Sequence, residues 1–143
     1  GKKYIRFYTE KIKDLIYYNK TIKNGWNKNE SFLFEFIVYP PSGNFTFKTI
    51  ISPSDPEYDS KKLEKILSEV DGSKKPIGKH WIVHFSIIEK VDYEEIYNLS
   101  DDKIRKIVND FFDKVSKTVI KVENKFLEHK TELLQMKNVG ISK

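Results

Sequence analysis

The 143-residue chain carries 33% charged and 14% aromatic side chains with a formal charge of +5. That balance excludes a disordered chain and fits one domain burying about two-thirds of the surface its unfolded form exposes. It has no cysteine, which removes disulfides, thiol nucleophiles and cysteine-ligated zinc and favours a cytoplasmic setting.

No apolar run approaches a membrane span, and the opening "GKKYIRFYTEK" lacks the apolar stretch of a signal peptide. Gly1 in place of an initiator Met points to a domain excised from a longer chain. The charge is uneven. Residues 1–28 hold eight Lys/Arg against Glu10 and Asp14, a balance of +6, whereas residues 29–99 carry −4 and 100–143 carry +3. A basic segment of this kind suits phosphate contact, and it equally suits a solvated lysine-rich face.

"YIRFYT" alternates as a strand near 4–9, and Thr9 is placed to cap a helix near 10–18 whose Ile12, Leu15 and Ile16 recur at helical spacing. "NKTIKNGWNKNES" follows as a polar loop, with Trp26 expected to fold back as an anchor. "SFLFEFIVY" and "NFTFKTIIS", separated by "PPSG", predict a hairpin with strands near 32–39 and 44–52. Phe32, Phe34, Phe36 and Val38 share one face, opposite Leu33, Glu35, Ile37 and Tyr39.

"SDPEYDSKKLEKILSEVDGS" predicts a helix near 56–70 with Asp55 as cap, Pro56 and Glu57 in the first turn and Gly72 as the stop. "GKHWIVHFSIIEK" predicts a strand near 79–90, with Trp81, Val83, Phe85 and Ile87 in the core and His80, His84 and Ser86 on the opposite face. After the acidic "DYEEIYNL", Ser100 caps a long helix near 100–130 with its seam at Ile104, Val108, Phe111, Val115, Val119, Val122 and Phe126. The expected architecture is α+β, a two-layer sandwich with an antiparallel sheet and the helices on one face. Residues 1–130 make a single domain and 131–143 a frayed tail.

Catalytic chemistry finds little support. His80 and His84 on one strand lie roughly 13 Å apart at ~3.3 Å per residue, too far to share a metal ion. His84 and Ser86 lack an orienting third group. Phosphate-loop, dinucleotide, nucleophile-elbow and zincin motifs do not occur. The (D/E)-x-K triplets Asp59-Ser60-Lys61, Asp101-Asp102-Lys103 and Glu123-Asn124-Lys125 all fall on predicted helices, whereas a metal-dependent nuclease needs its triplet on a strand. No cofactor or metal is expected.

The series "RFYTEKIKDLI", "NGWNKNESFLFEF", "TIISPSDPE", "GKHWIVHFS" and "KVDYEEI" resembles the C-terminal region of uncharacterised bacterial PD-(D/E)XK nuclease superfamily proteins. The likeness is carried by Arg6, Phe7 and Thr9, by Gly25 and Trp26, by Phe34, Glu35 and Phe36, by Ile51, Pro53, Pro56 and Glu57, and by Lys79, Trp81, Tyr93 and Glu94. It departs at Glu10, where such proteins have proline, and at Ser52, where they have glycine. The resemblance implies a non-catalytic accessory domain, with nuclease activity only upstream in a full-length protein.

Two functions follow as expectations. One is DNA or RNA contact through Lys2, Lys3, Arg6, Lys11, Lys13, Lys20, Lys23, Trp26 and Lys28. The other is a protein-interaction or autoregulatory module that packs on the nuclease domain or a partner through Leu33, Ile37 and Tyr39. An independent hydrolase using His84 and Ser86 comes third.

Overall fold

A computed structural model describes residues 1–39, 43–53, 55, 58 and 60–138. Its centre is the hairpin formed by β2 (Phe32–Tyr39) and β3 (Asn44–Ile51), eight residues each, in register from Phe32 opposite Ile51 to Tyr39 opposite Asn44. Pro40 and Pro41, expected in its turn, lie outside the described residues. β1 (Lys3–Phe7) pairs antiparallel with β2, and β4 (Ser86–Lys90) antiparallel with β3, giving an open four-stranded sheet in the order β1-β2-β3-β4.

Alternation gives the sheet two unlike faces. The inner one presents Phe7, Phe32, Phe34, Phe36, Phe47 and Ile51, and the long helix α3 (Asp101–Glu128) lies across it. Phe126 meets Phe32 with ring centroids 5.0 Å apart, and Phe111 meets Phe36 at 6.3 Å. Helix α1 (Ser60–Ser68) adds buried Leu63, Ile66 and Leu67, and Gly72 at φ +85° turns the chain away after it. A short helix, α2 (Tyr93–Ile96), precedes α3 and is capped by Asp92, which accepts from the Glu94 N–H. The α+β class, the antiparallel sheet and the long C-terminal helix are those expected from the sequence.

Five local expectations are corrected. Residues 10–18 do not form an α-helix; only a 3-10 turn, Lys13–Leu15, is present. Ile12, Leu15, Ile16 and Tyr17 are all buried, so the segment has no wide polar face, and it extends at Ile16 (ψ 124°). Thr9 does not cap with its side chain: its Oγ1 is buried with no partner among the described residues, and its carbonyl accepts from the Ile12 N–H.

The strand expected over 79–90 is regular only over β4. Gly78 sits at φ +97° with its backbone packed so closely on the Trp81 carbonyl that a Cβ would clash, and this tight turn interrupts the extended chain. Ile82 and Val83 make only isolated bridges, to Ile51 and Ile77. The alternation therefore fails before β4. Trp81 is 39% exposed and His84 is 2% exposed, the reverse of the expected core and solvent assignments.

Asp55 is not a helix cap. It lies five residues before α1, and its buried carboxylate accepts from the Tyr17 hydroxyl at 2.9 and 3.1 Å and from the Lys20 N–H at 2.8 Å. Pro56 and Glu57 lie outside the described residues.

Beyond 130 the chain is helical rather than frayed, as far as it is described. α4 (Lys130–Asn138) buries Leu133 and Met136 against the core, and Lys137 Nζ donates to the Asp14 carbonyl at 2.9 Å. His129 fixes the α3–α4 junction, with Nδ1 3.1 Å from Glu132 and Nε2 3.2 Å from Glu69. Residues 139–143 lie outside the described part.

The buried seam of α3 is shorter than its periodicity implies. Phe111, Val115, Val122 and Phe126 are buried, but Val108 is exposed and no residue in the first ten is fully buried. Those turns stand off the sheet across an apolar groove of ≈ 380 Å³ walled by Phe36, Val38, Phe45 and Val108. Among the described residues, no helix is long and apolar enough to cross a membrane.

Candidate nucleic-acid interface

The outer face of the sheet is assembled from side chains of all four strands. At one end it is closed by the loop before β2. Asn24 shapes that loop, donating from Nδ2 to the Glu30 carbonyl at 2.8 Å while its Oδ1 accepts from the Trp26 N–H at 2.9 Å. Trp26 is thereby folded onto Leu33 and Ile50, as its position in a polar loop predicted, and Trp81 leans on it with ring centroids 4.9 Å apart.

The remainder is open. The register aligns Arg6, Glu35, Lys48 and Ser86 across the strands, then Tyr4, Ile37, Thr46 and Ile88, then Tyr39, Asn44 and Lys90. Arg6 Nε donates to buried Glu35 Oε2 at 2.6 Å, and its guanidinium lies 4.7 Å from the Tyr4 ring. Lys2 sits over the Tyr39 ring at 5.7 Å. Four cations, Lys2, Arg6, Lys48 and Lys90, thus share a face with Glu35, whose charge Arg6 neutralises, and with a Tyr4 ring that is 46% exposed.

Where this face meets the Trp26 loop lies a cleft of ≈ 400 Å³ with Tyr4, Arg6, Tyr8, Trp26, Lys28 and Glu30 in its walls. Glu30 is buried; its Oε1 accepts from the Lys28 N–H at 3.0 Å, and its Oε2 has no partner among the described residues. Behind it, burial, a hydrogen bond with Tyr8, and the neighbouring charges of Tyr8, Glu30 and Asp14 push the Tyr18 phenol from 10.0 up to about 12. A raised value favours the folded state fully below pH 10, and that contribution is lost as pH climbs through about 12. Spectrophotometric titration should show a tyrosinate step near pH 12 that is missing in Tyr18→Phe; an unchanged high-pH step in that variant would remove the assignment.

Of the residues picked out in the sequence, Arg6, Trp26 and Lys28 meet in the cleft and Lys2 joins them on the open face. Lys3 alternates to the inner side, opposite Val38. Lys13 pairs with Glu10 at 3.5 Å, Lys20 lies over the Tyr17 ring at 5.9 Å, and Lys11 and Lys23 are exposed outside the sheet. Tyr4, Lys48 and Lys90 escaped the sequence reading. Pairing the hairpin strands residue by residue places Lys48 opposite Glu35, which was the available signal for one of them.

Of the (D/E)-x-K triplets, 101–103 and 123–125 lie on α3, and Ser60 and Lys61 open α1, with Asp59 outside the described residues. Among the described residues, no group of three His, Asp or Glu is placed to hold a metal ion. His84 is buried, Ser86 lies on the outer face by register, and no hydrogen bond joins the two among the described residues. No protein-family model, curated protein or solved structure matches the chain.

Proposed function

We propose that the chain is a non-catalytic accessory domain that holds single-stranded DNA or RNA on the open face of its sheet, working beside a nuclease domain as the PD-(D/E)XK resemblance implies. The observation that carries the reading is the coincidence of an exposed Tyr4 ring with Lys2, Arg6, Lys48 and Lys90 on one uncovered sheet surface. Aromatic faces stack on bases of any sequence while cations track the phosphates. The cleft beside Trp26 gives such a strand a place to turn a base in. The interaction-module alternative is weaker than the sequence implied, because Leu33, one of its three supports, is covered by Trp26.

Anisotropy titration with short labelled oligonucleotides tests this. At low salt, single strands should bind more tightly than duplex, and Tyr4→Ala should weaken binding by about 1–3 kcal/mol, the usual worth of one base–aromatic stack. Changing both Lys48 and Lys90 to Gln should flatten the dependence of log affinity on log salt by about 1.4, at ~0.7 per phosphate contact. Absence of low-salt binding, or binding indifferent to all three changes, would refute the reading.

A further inference from the structure

A third concavity, of ≈ 330 Å³, lies at the β4 edge between α3 and the chain following α1, away from the Trp26 cleft. Lys114, Lys117 and Lys121 stand at helical spacing on one wall and Lys74 on another. Two of them are tethered only loosely: Lys117 to Asp113 at 2.9 Å and Lys121 to Asp71 at 3.4 Å, in pairs whose carboxylates are largely exposed. Such pairs contribute little and release readily. Lys74 and Lys114 have no carboxylate within ion-pair distance among the described residues.

A row of lysines alone would be a solvated helix face. What distinguishes this one is His84, a buried imidazole in the same wall, whose Nδ1 has no hydrogen-bond partner among the described residues. A buried nitrogen left unmet costs free energy that a ligand group can recover. Burial pushes the His84 pKa down, against the opposing effect of the Glu64 backbone, so at neutral pH the ring is uncharged and offers a lone pair. The concavity therefore has lysine cations at its rim and an unmet imidazole nitrogen just beneath its wall, which a ligand group meets once the His84 ring turns toward it. Its ligand needs negative charge and a proton on the same small group.

We propose that this pocket binds inorganic phosphate or the monoanion of a phosphomonoester, with the lysine ammonium groups on its charged oxygens and its P–O–H donating to His84. A phosphodiester carries the charge without the proton, so a nucleic-acid backbone is the wrong ligand. A phosphomonoester with its second pKa of about 6 retains that proton in part of the population near pH 6.

The test is an NMR titration of the imidazole nitrogens at pH 6 in three arms: inorganic phosphate, methyl phosphate and dimethyl phosphate. The first two should shift the His84 resonance saturably while exposed His80 stays in place, and dimethyl phosphate should leave His84 unmoved. Converting Lys114 and Lys117 together to Gln should weaken the response at least about tenfold, two charge-assisted hydrogen bonds discounted for their exposure to solvent, with thermal stability retained because both side chains are on the surface. Response to inorganic phosphate alone identifies the free ion as the ligand, and response to methyl phosphate as well identifies a phosphomonoester. An unsaturable shift, an equal response to dimethyl phosphate, or full affinity in the double variant would each overturn the proposal.

Discussion

Phe126→Ala should lower the unfolding free energy by about 3–5 kcal/mol, the usual result of emptying a buried aromatic site. Phe126 is almost wholly buried and lies on Phe32, itself edge-on to Phe34, so its removal leaves a cavity at the centre of the helix–sheet contact. Phe112→Ala, about four turns earlier on α3 and half exposed, is the matched control and should cost far less. Phe111→Ala falls between them, since Phe111 borders the apolar groove and its vacated space opens into that groove. Urea denaturation reads all three. Similar midpoints for the Phe126 and Phe112 variants would show that α3 does not pack through this seam.

Asp55→Ala should cost at least about 3 kcal/mol, because hydrogen bonds to charged groups are worth ~1.5–3 kcal/mol each and the Tyr17 hydroxyl left behind is buried. The Asp55 carboxylate accepts from the Tyr17 hydroxyl and the Lys20 and Thr21 N–H groups, and the Asp55 N–H donates to Asn19 Oδ1 at 3.0 Å. It ties the chain after the 3-10 turn to the entrance of α1. Asp55→Asn keeps the shape and one acceptor oxygen, so it should recover part of the loss. Equal melting temperatures for the Ala variant and the parent would sink this account of the loop.

Asp55 also shows where a sequence stops being informative. "SDPE" carries every mark of a helix start, and those marks are local, whereas the partners that engage its carboxylate lie 34 to 38 residues away. The β2–β3 hairpin was legible because both signals that define it, alternation along each strand and turn formers between them, are themselves local. Residues 79–85 alternate as well as β4 does, yet the Gly78 turn overrides the pattern, and with it the sides assigned to Trp81 and His84. In the candidate interface the basic N-terminal segment was visible as charge. Its sorting was not, since Lys2 and Lys3 part to opposite faces only once β1 has a register, and Lys48 and Lys90 arrive from distant strands.

The open sheet has a further consequence for self-association. β1 is an edge strand of five residues that carries Lys3 and Arg6 and follows Lys2 directly, so a second copy adding to that edge would bring like charges together. Lys2 and Arg6, which the proposed function assigns to a polyanion, thus would also keep the edge from templating its own growth. Bound nucleic acid would neutralise them, and the same event that fulfils the proposed role would remove the barrier to strand-by-strand aggregation.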